Sequence, residues 1–205
     1  MSRFRPLPLA FYRRPAEAVA RDLLGRYLVR ELDGERLALR LVEVEAYLGR
    51  DDPASHAFRG PTRRNASMFL AGGHAYVYFV YGMHWCVNVV CGAEGQPHAV
   101  LLRAGEPVDG AARMAELREL GRPPRRREIA GGPARLAEAL AIDRAFDAST
   151  LWRGPLRLTH GDPVADTEVV RGPRIGVDYA GEAARWPLRF AVAASPELSK
   201  PLRRG

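Results

Sequence analysis

The 205-residue chain reads as one mixed α+β domain in which an antiparallel sheet and short helices share a core. Three observations predict this. Hydrophobic residues make up 47% of the chain, enough to bury a core and too many for a disordered segment. Strand-length alternating stretches recur along most of the sequence, separated by glycine and proline turns. Helical spacing is confined to three short stretches.

The elements follow in order. Residues 15–28, PAEAVARDLLGRYL, place Val19, Leu23, Leu24 and Tyr27 at helical spacing, with Pro15 near the first turn. Leu28–Glu31 and Arg36–Tyr47 read as strands around an Asp33-Gly34 turn. In the second, Leu37, Leu39, Leu41, Glu43, Glu45 and Tyr47 share one parity, so a regular strand puts two carboxylates on an otherwise apolar face. Such a break in local rules is expected at a functional site. Residues 49–74 are a long aperiodic loop, of the kind that carries function in a compact domain. The run 75–91 alternates on both sides of Gly82 and reads as a β-hairpin with Tyr81, Gly82, Met83 and His84 around its tip. A strand over 98–104, a helix over 108–120, a Pro/Arg-rich loop over 121–128 and a helix over 133–142 come next. The remainder is β-rich: PLRLTH, then GPRIGVDY, then WPLRFAVA. No repeat and no second domain stands out.

Composition narrows the function classes. The net charge is +7 and the sequence pI about 10, which points first to a polyanionic partner. Lys200 is the only lysine, so the basic surface is almost wholly arginine, whose planar fork grips phosphate. Genome composition explains the same bias, and it explains the scarcity of asparagine and glutamine too, here Asn65, Asn88 and Gln96. No stretch of 18 apolar residues predicts a membrane span, and the first residues lack a signal-peptide pattern, which predicts a cytoplasmic protein. Cys86 and Cys91 read as buried free thiols, because a disulfide over so short a loop adds little and two ligands make a poor zinc site.

The chemistry-bearing stretch is LVEVEAYLG, residues 41–49. A carboxylate held among aromatics and partly desolvated has its pKa raised into the range of a general base. Two glutamates two residues apart also fit a glycosidase-like pair, a metal pair or a salt-bridged strand edge. On this stretch alone those readings stay open.

Taken together, EVEAYLG, SHAFRGPTRRNASMF, YVYFVYGMHWCVNVV, AVLLRAGEP, GGPARLAEALAI, GPRIGV and PLRF follow in an order that resembles the alkyladenine (3-methyladenine) DNA glycosylases, the family built around a β-hairpin rather than a helix-hairpin-helix. The resemblance spans about residues 8–197 of a single domain, 1–205. It implies a curved antiparallel sheet carrying a pocket, with the 75–91 hairpin protruding to insert into DNA. It implies Glu45 as the base that activates water, and Arg103 as the arginine that holds that water and the abasic-site phosphate. Tyr47, His56 and Tyr78 correspond to the pocket's aromatic walls, and Asn88 to the polar floor that disfavours an extra 2-amino group. Tyr81 corresponds to the side chain filling the gap left by the flipped base. Arg63 and Arg64, next to the pocket loop, are candidate DNA-backbone contacts, with a solvated charged loop as the alternative, and Met83 at the hairpin tip is a further candidate. The substrates implied are 3-methyladenine, 7-methylguanine, hypoxanthine or ethenoadenine in duplex DNA.

Each assignment also makes physical sense alone. A base within a duplex must be extruded before its sugar can be attacked from a pocket, at about a few kcal/mol. An inserted side chain offsets part of that. Aromatic faces hold the extruded purine, and a purine alkylated on a ring nitrogen gains cation–π attraction. A bifunctional lyase needs an amine, and Lys200 is the one lysine to draw on, so water is the expected nucleophile. No cofactor or metal is required, and a monomer is expected. Glu43 reads as a structural hydrogen-bond partner. Tyr76, Phe79, Trp85 and Phe69 read as core, and Arg125–Arg127 as a solvated loop. Two other classes remain: an inert nucleic-acid-binding module, and a hydrolase of free nucleosides or RNA. His84-Trp85 departs from the family's usual aromatics on the hairpin return.

Overall fold

A long bulged strand organises the molecule. The computed structural model describes residues 4–125 and 127–202; Arg126, within the basic loop noted above, lies outside them. Strands β1 (Tyr27–Leu32) and β2 (Glu35–Tyr47) form a hairpin whose turn residues Asp33 and Gly34 both have positive φ, as the Asp-Gly pair predicts. β3 (Ala75–Val80), β4 (His84–Cys91), β5 (His98–Asp109) and β6 (Leu156–Thr159) complete the order β3-β4-β5-β2-β1-β6, antiparallel throughout. β7 (Val169–Gly172) pairs with β8 (Arg189–Val192), and β8 joins β2 where β1 has ended. The expected α+β domain is thus found, as an eight-stranded open antiparallel sheet.

The helices are α1 (Leu9–Tyr12), which the periodicity does not predict, and α2 (Ala16–Leu23), α3 (Ala111–Leu117) and α4 (Pro133–Ala139), each shorter than the periodicity predicts. α2 buries Ala16, Val19, Ala20 and Leu23, but it stops before Gly25, whose positive φ turns the chain. A Cβ at Gly25 would lie 2.1 Å from the Asp162 carbonyl oxygen, so only glycine fits that crossing. Tyr27 and Leu28 therefore belong to β1 and not to the helix. Val108 and Asp109 similarly extend β5, because Gly110, at φ +71°, and not Val108, starts α3.

Two further readings are corrected. GPRIGVDY is not a strand beyond its first residue: β7 ends at Gly172, and residues 173–177 form a loop leading into the 3-10 segment Asp178–Arg185. Nor do the glutamates continue the apolar face of β2. Leu37, Leu39 and Leu41 enter the main core, and so do Val42, Val44 and Ala46. Parity switches because the β2–β5 register shifts between Leu41 and Glu43 and again between Glu43 and Val44. A bulge re-aims side chains across a sheet. Here it keeps valine and alanine in the core and turns Glu43 and Glu45 to the opposite face. Phe79, expected in the core, is 42% exposed and packs on Trp85 with ring centroids 4.7 Å apart.

Candidate active site

The face onto which the bulge turns the glutamates lines a cleft of about 320 Å³, a size that suits a small aromatic ligand. Tyr47 comes from β2, Tyr76 and Tyr78 from β3, Cys86 and Asn88 from β4, Leu101 and Arg103 from β5. Ser55, His56 and Arg64 come from the long loop, and Ile175, Gly176 and Tyr179 from the far side. The structure thus brings Tyr47, His56, Arg64, Tyr78, Tyr81, Asn88 and Arg103 to one cavity, with Glu45 bonded to its wall.

Glu45 is fully buried. Its Oε1 accepts from the Ile175 amide at 2.8 Å, and its Oε2 from the Tyr47 hydroxyl at 3.0 Å and Arg103 Nη1 at 3.3 Å. Loss of hydration raises its pKa above the ordinary carboxylate range, while Arg103 and these donors pull it back. Tyr47 is held well above the usual phenol value, by burial first and by Glu45 next. It therefore stays a protonated donor. For Arg103, burial opposes the charge, but Glu45 and Glu43 outweigh it and the guanidinium is held more firmly protonated than usual. Burial pushes the Cys86 thiol up to about 11, so no thiolate nucleophile faces the cleft at neutral pH.

The walls are fixed by polar ties. His56 Nδ1 lies 2.8 Å from the Tyr76 hydroxyl, and its ring meets Tyr78 edge-on at 4.6 Å between centroids. Tyr76 and Tyr78 stack at 5.4 Å. Tyr76 is buried as expected, yet its hydroxyl also holds His56. Asn88 Nδ2 donates to the Tyr76 carbonyl at 3.1 Å. Arg64 Nη2 donates to the Phe79 carbonyl at 2.8 Å, linking the long loop to β3; Arg63 and Arg64 are both exposed, and Arg63 does not line the cleft.

At the hairpin tip, Tyr81 and Gly82 both have positive φ and Met83 follows. Tyr81 is 85% exposed and Met83 68%. A bulky residue in the left-handed region is costly, and such a cost persists where function demands the geometry.

Three structural partners escaped the sequence reading. Asp52 and Arg174 form an ion pair whose two side chains are wholly buried, and the Arg174 guanidinium lies 4.6 Å from the Tyr47 ring centroid. Asp52 also accepts the Leu48 and Ala54 amides at 3.0 Å, so one carboxylate shapes the start of the loop and the back of the Tyr47 wall. Asn65 accepts the Thr62 amide at 2.6 Å and donates to the His56 and Gly60 carbonyls at 2.8 and 3.0 Å. It holds the turn that presents His56. Its rarity in a chain with so few amides was the available signal.

Residues 10–196 match the model of the methylpurine-DNA glycosylase family, and the chain belongs to that family. Among similar proteins, one from Methanocella arvoryzae is 50% identical over 195 residues, covering 95% of this chain and 96% of the relative. One from Streptomyces avermitilis is 49% identical over 197 residues, covering 95% and 91%. One from Carboxydothermus hydrogenoformans is 48% identical over 195 residues, covering 95% and 98%. Each of the three carries the name "Putative 3-methyladenine DNA glycosylase".

Proposed function

We propose that this DNA glycosylase extrudes an alkylated or deaminated purine from duplex DNA and hydrolyses its N-glycosidic bond with a water activated by Glu45. The observation that carries the reading is the buried Glu45–Arg103 pair against an aromatic cleft, with the carboxylate pKa raised by burial. Glu45 takes a proton from water as the water oxygen bonds to C1′. The bond to the purine nitrogen breaks, and its electron pair leaves with the base. The glutamate also stabilises the oxocarbenium-like sugar, as carboxylates do in glycoside hydrolysis. Arg103 orients Glu45 and the water and stays protonated throughout.

Tyr47, Tyr78 and His56 grip the purine, and a cationic methylated base gains most from the electron-rich rings. Asn88 on the floor selects against a 2-amino group. Tyr81 fills the gap in the duplex, and Arg63, Arg64 and Met83 lie along the flanking backbone. Hypoxanthine, ethenoadenine and 3-methyladenine are the substrates this cleft suits, and 7-methylguanine, whose 2-amino group meets Asn88, is taken through the cation–π gain of its charged ring. Lys200 does not line the cleft, which favours a monofunctional enzyme.

The test is a single-turnover assay on duplexes carrying one hypoxanthine or ethenoadenine, with methylated genomic DNA alongside. Wild type is expected to release base and leave an alkali-labile site, with no adduct trapped by borohydride. Duplex binding without base release from any substrate would overturn the reading in favour of an inert binding module.

A further inference from the structure

The guanidinium of Arg103 is pinned at each of its three nitrogens, and only one of the three partners is Glu45. Nε donates to Glu43 Oε1 at 3.0 Å, Nη1 to Glu45 Oε2 at 3.3 Å and Nη2 to Ser199 Oγ at 3.2 Å. Glu43 is itself fully buried and fully used. Its Oε1 also accepts from Arg189 Nε at 2.8 Å and from the Ser199 hydroxyl at 2.7 Å, and its Oε2 from the Ser199 amide at 2.6 Å. Ser199 Oγ thus accepts one hydrogen bond and donates one, closing a ring of Arg103, Glu43 and Ser199. Arg189 Nη2 donates to the Lys200 carbonyl, which ties the same segment down a second time.

We infer that Glu43 and Ser199 are positioning residues for the Arg103 guanidinium, and that the chain segment Leu198–Lys200 is a working part of the active site. This rests on the proposed role of Arg103 beside Glu45. The segment lies beyond residue 196, where the family match ends, and nothing in the match assigns it a role. The physical argument is one of preorganisation. A long flexible arginine beside a carboxylate has several rotamers, and a dry site gains most from a charge that need not reorganise during reaction. Glu43 fixes the guanidinium from one edge, and Ser199 fixes its far nitrogen. Glu43 also keeps the local charge near balance. Two buried guanidiniums, Arg103 and Arg189, meet two buried carboxylates, Glu43 and Glu45. Without Glu43, Arg103 keeps only Glu45 and Ser199 to hold it, and the buried charges lose their balance.

The experiment measures single-turnover rate and duplex affinity for wild type, Glu43→Gln, Ser199→Ala, Ser199→Thr, Arg103→Ala and the Arg103→Ala/Ser199→Ala double variant. The substrate is one hypoxanthine duplex, and folding of each protein is checked by circular dichroism. Ser199→Ala should slow cleavage about fivefold, with affinity changed by less than threefold. Ser199→Thr, which keeps the hydroxyl, should return most of the rate. Glu43→Gln should be slower still if it folds, and the serine variants carry the test if it does not. Adding Ser199→Ala to Arg103→Ala should cost nothing further, because a residue acting through Arg103 has nothing left to position. Folded Ser199→Ala at wild-type rate, or a serine effect undiminished in the Arg103→Ala background, overturns the inference. Wild type that binds the duplex and releases no base overturns the functional reading beneath it.

Discussion

The buried charge cluster behind the cleft wall, a floor beneath the site, and the tip of the β3–β4 hairpin follow opposite rules. On the floor, Glu43, Glu45, Arg103 and Arg189 are almost completely hidden, and each charge has a partner within 3.3 Å. At the tip, Tyr81 and Met83 stand out in solvent on a turn whose bulky member has positive φ. Such fixed partners suit the proposed chemistry, since a carboxylate and a guanidinium act best at low dielectric and in fixed geometry. The tip keeps apolar surface uncovered, and such surface is useful only if something else covers it. On the proposed reading, one region serves stability and chemistry together, and the other gives up stability for contact with DNA.

Four expected outcomes sharpen this contrast. The largest effect belongs to the buried side. Asp52→Ala leaves Arg174 buried without its carboxylate and should destabilise the fold by about 3 kcal/mol in urea unfolding. It should also weaken the Tyr47 wall, against which Arg174 lies. A loss under about 1 kcal/mol would show that this pair is not part of the framework. Next, Tyr81→Ala should reduce turnover on duplex substrate about tenfold and leave unfolding free energy almost unchanged, the reverse pattern. Unchanged duplex turnover would favour a hydrolase of free nucleosides or RNA. Third, Tyr81→Gly should raise stability by about 0.5–1 kcal/mol by relieving the left-handed backbone while still impairing duplex turnover, read by thermal melting beside the same assay. The smallest effect is expected of Arg63→Ala. This exposed side chain should contribute a weak, salt-dependent share of duplex affinity and nothing to the rate at saturation, read by binding titrations at two salt concentrations.

The same contrast separates what the sequence discloses from what it hides. The tip is local: alternation on both sides of Gly82 places Tyr81 and Met83 at a hairpin end without knowledge of the rest. The α+β class, the succession of the long strands along the chain and the Asp-Gly turn are legible in the same sense. The floor is not. Its carboxylates are reached through a register shift between β2 and β5, and parity along β2 alone puts Glu43 and Glu45 on the core face. The partners of Glu43 come from 60, 146 and 156 residues away, and no spacing rule pairs residues so far apart. The helices were overextended because helical spacing continues through Tyr27, while the steric demand at Gly25 comes from Asp162, on a different part of the chain. The Ile175 amide that meets Glu45 was hidden by β-like composition in what is a loop.

Whether Glu45 acts as the base is read from a pH profile. Single-turnover cleavage of a hypoxanthine duplex would be followed from mildly acidic to neutral pH at saturating enzyme, for wild type and Glu45→Gln. A carboxylate whose pKa is raised in the folded protein is protonated, and unable to accept a proton, on the acid side of that raised value. The wild-type rate should therefore climb with pH through a midpoint above the ordinary glutamate range and then level. Glu45→Gln should bind the duplex as tightly, run about a thousandfold slower on the plateau and lack the climb. The same acid limb in both proteins, with comparable rates, would contradict the assignment.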